Sequence, residues 1–177
     1  MKIILDAMGG DNAPQAAVEG AVLAAQHYGC DILLVGDRAR VEPILAGREP
    51  QHITLVHASE VVEMEDKPST VLRQKKDSSM AVGLRLLAEG QADAMISAGS
   101  TGALLTGATL TVKRIRGVRR AALGTMVPQK TGSRALLLDC GANAECTPEY
   151  LLQFALMGSL YQKTQCGVDR PRVALVN

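Results

Sequence analysis

The sequence predicts an α/β fold in which a mostly parallel β-sheet is sandwiched between helices. Short apolar runs recur along the chain, and amphipathic helical patterns separate them. Most of these runs are apolar throughout, which is typical of parallel strands buried on both faces. Because strands and helices alternate, we expect right-handed crossover connections. The 177 residues contain no repeat and no low-complexity linker, so we expect one domain over residues 1–177.

The predicted elements follow from apolar runs and from residues that favour a first helical turn. The strands are Lys2–Leu5, Ile32–Val35, Ile53–Val56, Ala94–Ser97, Ala122–Met126, Ala135–Leu138 and Val173–Val176. The helices are Gln15–Tyr28 after Pro14, one capped by Asp77 or Ser78 that continues to Leu87, and one from Thr147-Pro148 to about Lys163. Since an apolar strand pattern stands last, we expect the sequence to be the N-terminal part of a longer chain.

Composition and charge argue against several classes of protein. The formal net charge is +1, so no overall field favours nucleic acid or an anionic membrane. Aromatic residues make up 2% and include no Trp, so few bases could stack on this protein. The apolar run near the N-terminus is broken at Asp6 and is too short for a secretion signal. We therefore expect a cytoplasmic protein that binds no nucleic acid.

The cysteines predict neither a metal site nor a disulfide framework. Cys30, Cys140, Cys146 and Cys166 form no C-x-x-C pair. Cys140 is a candidate covalent nucleophile by position, but no histidine stands near it in sequence to activate it. We interpret it as a structural thiol, and we predict no metal ligand and no cofactor.

Ligand sites in open α/β sheets gather at the carboxyl ends of the strands, and the segment 97–103 follows such an end and opens a helix. Small residues leave backbone N–H groups accessible, and a helix N-terminus adds partial positive charge; both favour phosphate. No lysine completes a P-loop, so a nucleoside triphosphate is not expected. The simpler alternative is that Ser100 or Thr101 only caps the helix. The candidate phosphate ligands are Ser97, Gly99, Ser100, Thr101 and Gly102.

The segment 6–14, DAMGGDNAP, has a similar character at the end of the first strand. Gly9 and Gly10 allow a sharp turn and the close approach of a ligand, and Asp6 and Asp11 flank them. The alternative is a tight strand-to-helix turn that Asp11 or Asn12 caps. No G-x-G-x-x-G pattern is present, so a dinucleotide fingerprint is not supported.

Two further segments carry candidate polar groups. Asp139 and Asn143 follow another predicted strand end, where Asp139 either orients a cation and accepts a proton or only caps the turn. In the segment 73–80, cations stand beside hydroxyls at a predicted helix start, an arrangement that either clamps phosphate or forms a solvated face. The candidates in that segment are Lys75, Lys76, Ser78 and Ser79.

A basic cluster precedes the fifth predicted strand. It consists of Lys113, Arg114, Arg116, Arg119 and Arg120. Such a cluster either steers an acidic protein partner or forms a solvated helix end.

The segments DAMGGDNAP, VGD, KKDSSM, ADAMISAGSTGA and LLLDCGAN, in this order and spacing, resemble the phosphate acyltransferase family of phospholipid synthesis. The resemblance covers nearly the whole chain. It implies an α/β/α fold similar to phosphotransacetylases and to isocitrate and isopropylmalate dehydrogenases. It also implies a cytoplasmic homodimer that associates peripherally with the membrane through a part beyond this sequence. The family usually carries Asn in place of Ser100 and Pro in place of Arg120.

The resemblance implies that a fatty acyl group passes from an acyl carrier protein thioester to inorganic phosphate. A phosphate oxygen would attack the thioester carbon directly, so the protein needs no nucleophile of its own. We expect Lys75, Lys76 and the backbone of residues 97–102 to serve phosphate and oxyanion. Ser78, Ser79 and Asn143 are candidate hydrogen-bond partners, and Asp6, Asp11 and Asp139 are candidate orienters of the cations.

Two alternatives remain open at this point. One is a related enzyme on the same fold, either a coenzyme A-dependent phosphotransacetylase or a metal-dependent decarboxylating dehydrogenase. The other is a non-catalytic module that docks an acidic carrier protein through the cluster of residues 113–120. The phosphate hypothesis requires Lys76 and the segment 97–102 to lie around one shared cavity.

Overall fold

A computed structural model describes residues 1–48, 51–130 and 132–176. The chain divides into two compact units, Met1–Lys113 and Arg114–Asn177. The sequence predicts one domain over residues 1–177, whereas the structure groups its contacts into these two units. Each unit is described by itself below.

The first unit is built on a four-stranded sheet with the order β3-β2-β1-β4. All three pairings in this sheet are parallel, as the continuous apolar runs predict. Its strands are β1 (Lys2–Asp6), β2 (Asp31–Gly36), β3 (Ile53–His57) and β4 (Ala94–Ile96). Its helices are α1 (Gln15–Tyr28), α2 (Arg38–Leu45), α3 (Val71–Gln74), α4 (Ser79–Ala88) and α5 (Thr101–Thr111).

Successive side chains of β2 enter two different cores, because side chains alternate between the faces of a strand. Leu34 belongs to one core with Val18 of α1. Leu33 belongs to the other core with Val82 of α4. Helices therefore cover both faces of the sheet, and the predicted α/β/α sandwich is confirmed in this unit.

The helix starts of the first unit follow from their capping residues. Helix α1 has the predicted bounds and begins directly after Pro14. Of the two candidate caps for α4, the structure uses Ser78, whose side chain accepts the N–H of Ala81. Helix α4 ends at Ala88, one residue beyond the predicted end.

The second unit contains a β-hairpin and one long helix. They are β5 (Gly124–Pro128), β6 (Arg134–Leu138) and α6 (Pro148–Cys166). Thr147 caps α6 and Pro148 stands in its first turn, as predicted. The strands β5 and β6 pair antiparallel. Their apolar character suggested parallel strands, but the short connection from residue 129 to 133 leaves no room for a crossover helix.

The predicted strand Val173–Val176 is wrong. This segment has no regular secondary structure, and within the described part of the chain β6 pairs with β5 alone. Val173 and Val176 are 60% and 80% exposed. A strand needs a backbone partner for its hydrogen bonds, and apolar composition does not supply one.

No helix among the described residues is long and apolar enough to cross a membrane.

Candidate functional site

The candidate site lies where the strand order of the parallel sheet reverses. From β1 the chain builds β2 and β3 on one side, and it then returns to add β4 on the other side of β1. Leu5 at the end of β1 lies beside Ile96 at the end of β4. Such a reversal opens a crevice at the carboxyl ends of the strands, which is where open α/β sheets bind ligands. The loops that meet here are the two glycine-containing segments 6–14 and 97–103.

Asp6 joins these two loops. Its side chain is buried, and Oδ2 accepts a hydrogen bond from Ser97 Oγ at 2.7 Å. Oδ1 accepts the N–H of Met8 at 3.0 Å, and Ser97 Oγ accepts the N–H of Gly99 at 3.1 Å. The carboxylate therefore holds the backbone of both loops in place, and its predicted role in orienting a cation stays a prediction.

Two glycines let the loops touch. A Cβ atom built on Gly9 would lie 2.7 Å from Asp6 Oδ2 and 2.8 Å from the backbone nitrogen of Gly99. Gly10 has a φ of 102°, and a Cβ there would lie 3.0 Å from Ala98 Cβ. The close approach that these glycines permit is the approach of one loop to the other.

The N-terminus of α5 opens directly from this junction. Of the two candidate caps, the structure uses Ser100, whose hydroxyl accepts the N–H of Ala103 at 3.4 Å. The amides of Thr101 and Gly102 belong to the first turn and have no intrahelical acceptor. Together with the helix dipole, these two amides form an arrangement suited to an anion. Thr101 is exposed at this end of the helix.

The first turn of α4 packs against the same loop. Met80 Cε lies 3.4 Å from a Cβ built on Gly99. Ser78 is buried, and its Oγ donates to the carbonyl of Lys75 at 2.8 Å while it caps α4. Ser79 is also buried. The hydroxyl of Ser78 thus serves the start of α4, and contact of the predicted Ser78–Ser79 pair with phosphate stays a prediction.

The two candidate lysines differ in their contacts. Lys75 Nζ donates to Asp66 Oδ2 at 2.6 Å and to the carbonyl of Val61 at 2.8 Å. The hydrogen bond from Lys75 is the main reason that the pKa of the Asp66 carboxyl lies below its ordinary value, and the N–H of Glu63 adds to it. Lys76 is exposed, and its carbonyl accepts a bond from Arg85.

No contact among the described residues joins either lysine ammonium to the loop 97–102. The shared cavity for Lys76 and this loop therefore stays a prediction. The role of Asp66 as the partner of Lys75 was missed, because the two stand nine positions apart, across a loop and the short helix α3, and no periodicity links them.

Asp139 and Asn143 belong to the second unit and close the turn after β6. Asn143 Nδ2 donates to Asp139 Oδ1 at 3.1 Å and to the carbonyl of Ala121 at 2.9 Å. Cys146 Sγ donates to Asp139 Oδ2 at 3.4 Å. Burial, and then the neighbouring Asp139, raise the pKa of the Cys146 thiol. These contacts match the turn-capping alternative for Asp139.

The thiol of Cys140 donates to the carbonyl of Leu123 at 3.7 Å. Cys140 is exposed, and our interpretation of it as a structural thiol stays a prediction. Among the described residues, no group of three or more His, Cys, Asp and Glu side chains could hold a metal ion.

Comparison with known proteins agrees with the resemblance drawn from the motifs. The family described as "Fatty acid synthesis protein" matches residues 1–177. The chain belongs to this family. A phosphate acyltransferase from Myxococcus xanthus is 51% identical over 180 residues, covering 100% of this chain and 51% of that protein. One from Clostridioides difficile is 46% identical and covers 100% of this chain and 53% of that protein. The predicted resemblance to phosphate acyltransferases is confirmed.

This member of the family spans about half the length of the curated relatives it matches. Its fold is also similar to that of a phosphotransacetylase from Streptococcus pyogenes, with a TM-score of 0.70 at 20% identity. That match covers 96% of this chain and 55% of the other. The predicted likeness to the phosphotransacetylase fold is therefore confirmed at the level of fold.

Proposed function

We propose that the protein transfers a fatty acyl group from an acyl carrier protein thioester to inorganic phosphate, and so supplies an acyl phosphate for phospholipid synthesis. Membership of a fatty acid synthesis family and the name of the curated relatives support acyl transfer that involves phosphate. The finer identity of donor and product follows from the resemblance of the motifs.

The observation that carries this proposal is the junction of the two loops at the strand reversal. Asp6 and Ser97 fasten the loops to each other, and α5 begins where they meet. A rigid helix N-terminus with two amides that lack intrahelical acceptors suits a small dianion such as phosphate. Because buried and partly buried hydrogen bonds hold the loops, the amides need little rearrangement when the anion arrives.

In the proposed reaction, a phosphate oxygen forms a bond to the thioester carbon, and the carbonyl oxygen becomes an oxyanion. The tetrahedral intermediate then collapses, the carbon–sulfur bond breaks, and the carrier thiolate leaves and takes up a proton. The protein positions phosphate and stabilises the developing charge, and it forms no covalent intermediate. Loss of one well-placed donor to an oxyanion raises such a barrier by about 3–4 kcal/mol.

We assign the roles as follows. The amides of Thr101 and Gly102 bind phosphate, and Gly99 and Ser100 shape the loop around it. Asp6 and Ser97 position the loop, and Gly9 and Gly10 permit its packing. The remaining proposed site residues of the first unit are Asp11, Lys75, Lys76, Ser78 and Ser79. Asp139 and Asn143 belong to the second unit and stay candidates from the sequence.

Of the two lysines, Lys76 is the one whose exposure leaves it able to reach an incoming anion. Lys75 would first have to leave its bond to Asp66. We therefore place Lys76 in direct contact with substrate and Lys75 behind it. We also propose that the protein works in the cytoplasm as a homodimer at the inner face of the membrane, with no metal and no cofactor.

The decisive experiment uses the protein produced from its complete reading frame. Palmitoyl acyl carrier protein is mixed with the protein, with and without phosphate, and hydroxylamine traps any acyl phosphate as the hydroxamate. We expect loss of the thioester and formation of hydroxamate only when phosphate is present. Replacement of phosphate by sulfate, which cannot yield an acyl phosphate, is the matched control.

Two results would contradict the proposal. One is a thioester loss that does not depend on phosphate, and the other is a preference for acetyl-coenzyme A over the carrier substrate. The second result would favour the phosphotransacetylase alternative.

A further inference from the structure

The second unit carries a dense group of positive charges. Arg114, Arg116, Arg119 and Arg120 lie within seven residues, and we call residues 114–120 the arginine loop. All four side chains are exposed. The formal net charge of the whole chain is only +1, so this charge is concentrated locally.

The arginine loop is fastened to the first turns of α6. Gln153 bonds to it twice, accepting the N–H of Arg119 at 2.9 Å and donating to the carbonyl of Gly117 at 3.0 Å. Arg119 Nη1 also pairs with Glu149 Oε2 at 2.9 Å. Within the loop, Arg114 donates to the carbonyl of Arg119. A surface that is ordered before binding loses less conformational entropy when a partner docks.

The loop and the helix border a shallow cavity that is open to solvent. Arg120 stacks over the ring of Tyr150, with its guanidinium carbon 5.6 Å from the ring centroid. The cavity has a volume of about 640 Å³ and is lined by Arg114, Gly117, Val118, Arg119, Arg120 and Tyr150. Tyr150 thus holds one guanidinium in place at the wall of this cavity.

The charge of this surface is mostly uncompensated. Across residues 114–130 and 132–176, Arg119 is the one arginine of the loop with a carboxylate partner. The N-terminus of α6, at Pro148, adds partial positive charge on the same side. Guanidinium groups bind carboxylates through paired N–H donors, so several spaced arginines match a row of carboxylates better than one isolated phosphate.

We propose that the arginine loop is the docking surface for an acidic protein, and that its occupant is the carrier that brings the acyl thioester. The identity of the partner rests on the proposed function; the charge and the shape of the surface do not. An anionic membrane fits less well, because the loop is not a helix and offers no broad apolar face. Ile115 is its one strongly exposed apolar side chain, at 82%. One such side chain suits a small apolar contact inside a polar interface.

A direct binding measurement tests the docking surface without any need for activity. Fluorescently labelled acyl carrier protein is titrated with the protein from the complete reading frame, and its anisotropy gives Kd. For Arg116→Glu we expect Kd to rise about tenfold, because a like charge then faces the acidic partner. For the wild type, Kd should rise steeply with salt, and this dependence should be weaker in the variant.

The matched control is Arg170→Glu, which makes the same change of charge at an exposed arginine elsewhere in the second unit. We expect its Kd to equal that of the wild type. Equal weakening by both variants, or none in Arg116→Glu, would overturn the proposal. The proposal would also be overturned if Arg116→Glu lost binding to phosphatidylglycerol vesicles but kept the wild-type affinity for the carrier.

A kinetic comparison separates this proposal from the proposed function. With palmitoyl carrier as donor, Arg116→Glu should raise KM by about the same factor as Kd. With palmitoyl-pantetheine, which lacks the carrier protein, KM and kcat should not change. Carrier binding that depends on Arg116 without any phosphate-dependent turnover would leave the docking surface in place and refute the proposed function. If Arg116→Glu turned over the palmitoyl carrier with the KM of the wild type, the docking surface would be refuted and the proposed function would stand.

Discussion

Asp6 ends an apolar strand, Asp139 directly follows one, and small residues come after both, yet the structure uses the two carboxylates differently. Asp6 is buried and accepts a hydrogen bond from Ser97, 91 residues away in the chain. Asp139 accepts bonds from Asn143 and Cys146, which are four and seven residues away. One carboxylate therefore joins two loops at the sheet edge, whereas the other closes its own turn. A similar local pattern thus does not distinguish a long-range link from a local cap.

The largest expected effect follows from removal of the long-range link. Asp6→Ala would leave the buried N–H of Met8 and the partly buried hydroxyl of Ser97 without their acceptor, and a buried group left unpaired costs about 1–3 kcal/mol. We expect a clear fall in the free energy of unfolding, measured by urea denaturation. Asp11→Ala, at an exposed carboxylate of the same loop, is the control and should leave the unfolding midpoint unchanged. Equal midpoints for the two variants would contradict the account of Asp6.

A methyl group at Gly9 tests the same junction by crowding. The added Cβ would lie 2.8 Å from the backbone nitrogen of Gly99, which cannot move aside alone. Overpacking of this kind costs about 1–3 kcal/mol. The control is Gly20→Ala in α1, where a Cβ meets nothing within 4 Å. That change should raise stability by about 0.5–1 kcal/mol, because alanine favours the helix. Thermal unfolding should therefore show a lower Tm for Gly9→Ala and a higher Tm for Gly20→Ala than for the wild type.

The features that the sequence predicts well depend on neighbouring residues. Ser78 caps α4 and Thr147 caps α6 because hydroxyl side chains accept first-turn N–H groups. The strands β1 to β4 were predicted to within one residue at each end. Each of these features is decided within a few positions of the chain.

The features that the sequence does not predict depend on distant partners. The segment 173–176 is apolar, but a strand also needs an edge to pair with. The bonds of Asp6 to Ser97 and of Lys75 to Asp66 arise only once the fold brings these groups together. The candidate site was therefore predicted as separate segments, and the hydrogen bonds that connect some of them came from the structure.

A smaller effect is expected at the Lys75–Asp66 pair, which is only partly shielded from solvent. The folded-state pKa of Asp66 lies below its ordinary value of 3.8, chiefly because of Lys75. The stability that this pair contributes is therefore present above pH 3.8 and is lost as the pH falls through the lowered pKa. Below pH 3.8, Tm should fall more steeply in the wild type than in Asp66→Asn.

Glu65→Gln, at an exposed carboxyl of the same loop, is the control for this pH series. It should follow the wild-type curve. If the curves of Tm against pH were parallel for the wild type and Asp66→Asn, the Lys75–Asp66 pair would contribute nothing to stability in this pH range.

The smallest effect is expected at the local turn in the second unit. Asp139→Asn removes a negative charge beside Cys146, so the pKa of this thiol should fall toward its ordinary value, while burial still holds it above. Iodoacetamide labelling resolved by peptide mass spectrometry should show faster alkylation of Cys146 at neutral pH. The exposed Cys166, which is not adjacent to Asp139 in the chain, serves as the internal reference. An unchanged ratio of the two rates would contradict the influence of Asp139 on the thiol.

We propose above that the first turn of α5 binds inorganic phosphate through its backbone amides. A proline substitution at Thr101 tests this binding most directly. Thr101 is the first residue of α5, where proline is well tolerated but supplies no N–H. The preceding Ser100 has a φ of −57° and a ψ of 111°, which lies outside the α region that is disfavoured for a residue before proline. Thr101→Pro therefore removes one amide donor, whereas Thr101→Ala keeps the amide and removes only the hydroxyl.

The measurement is the phosphate dependence of acyl hydroxamate formation by both variants of the protein from the complete reading frame. We predict that Thr101→Pro lowers kcat/KM for phosphate about 100-fold or more, while Thr101→Ala matches the wild type. Equal phosphate dependence in the wild type and Thr101→Pro, with the fold intact by circular dichroism, would contradict the claim.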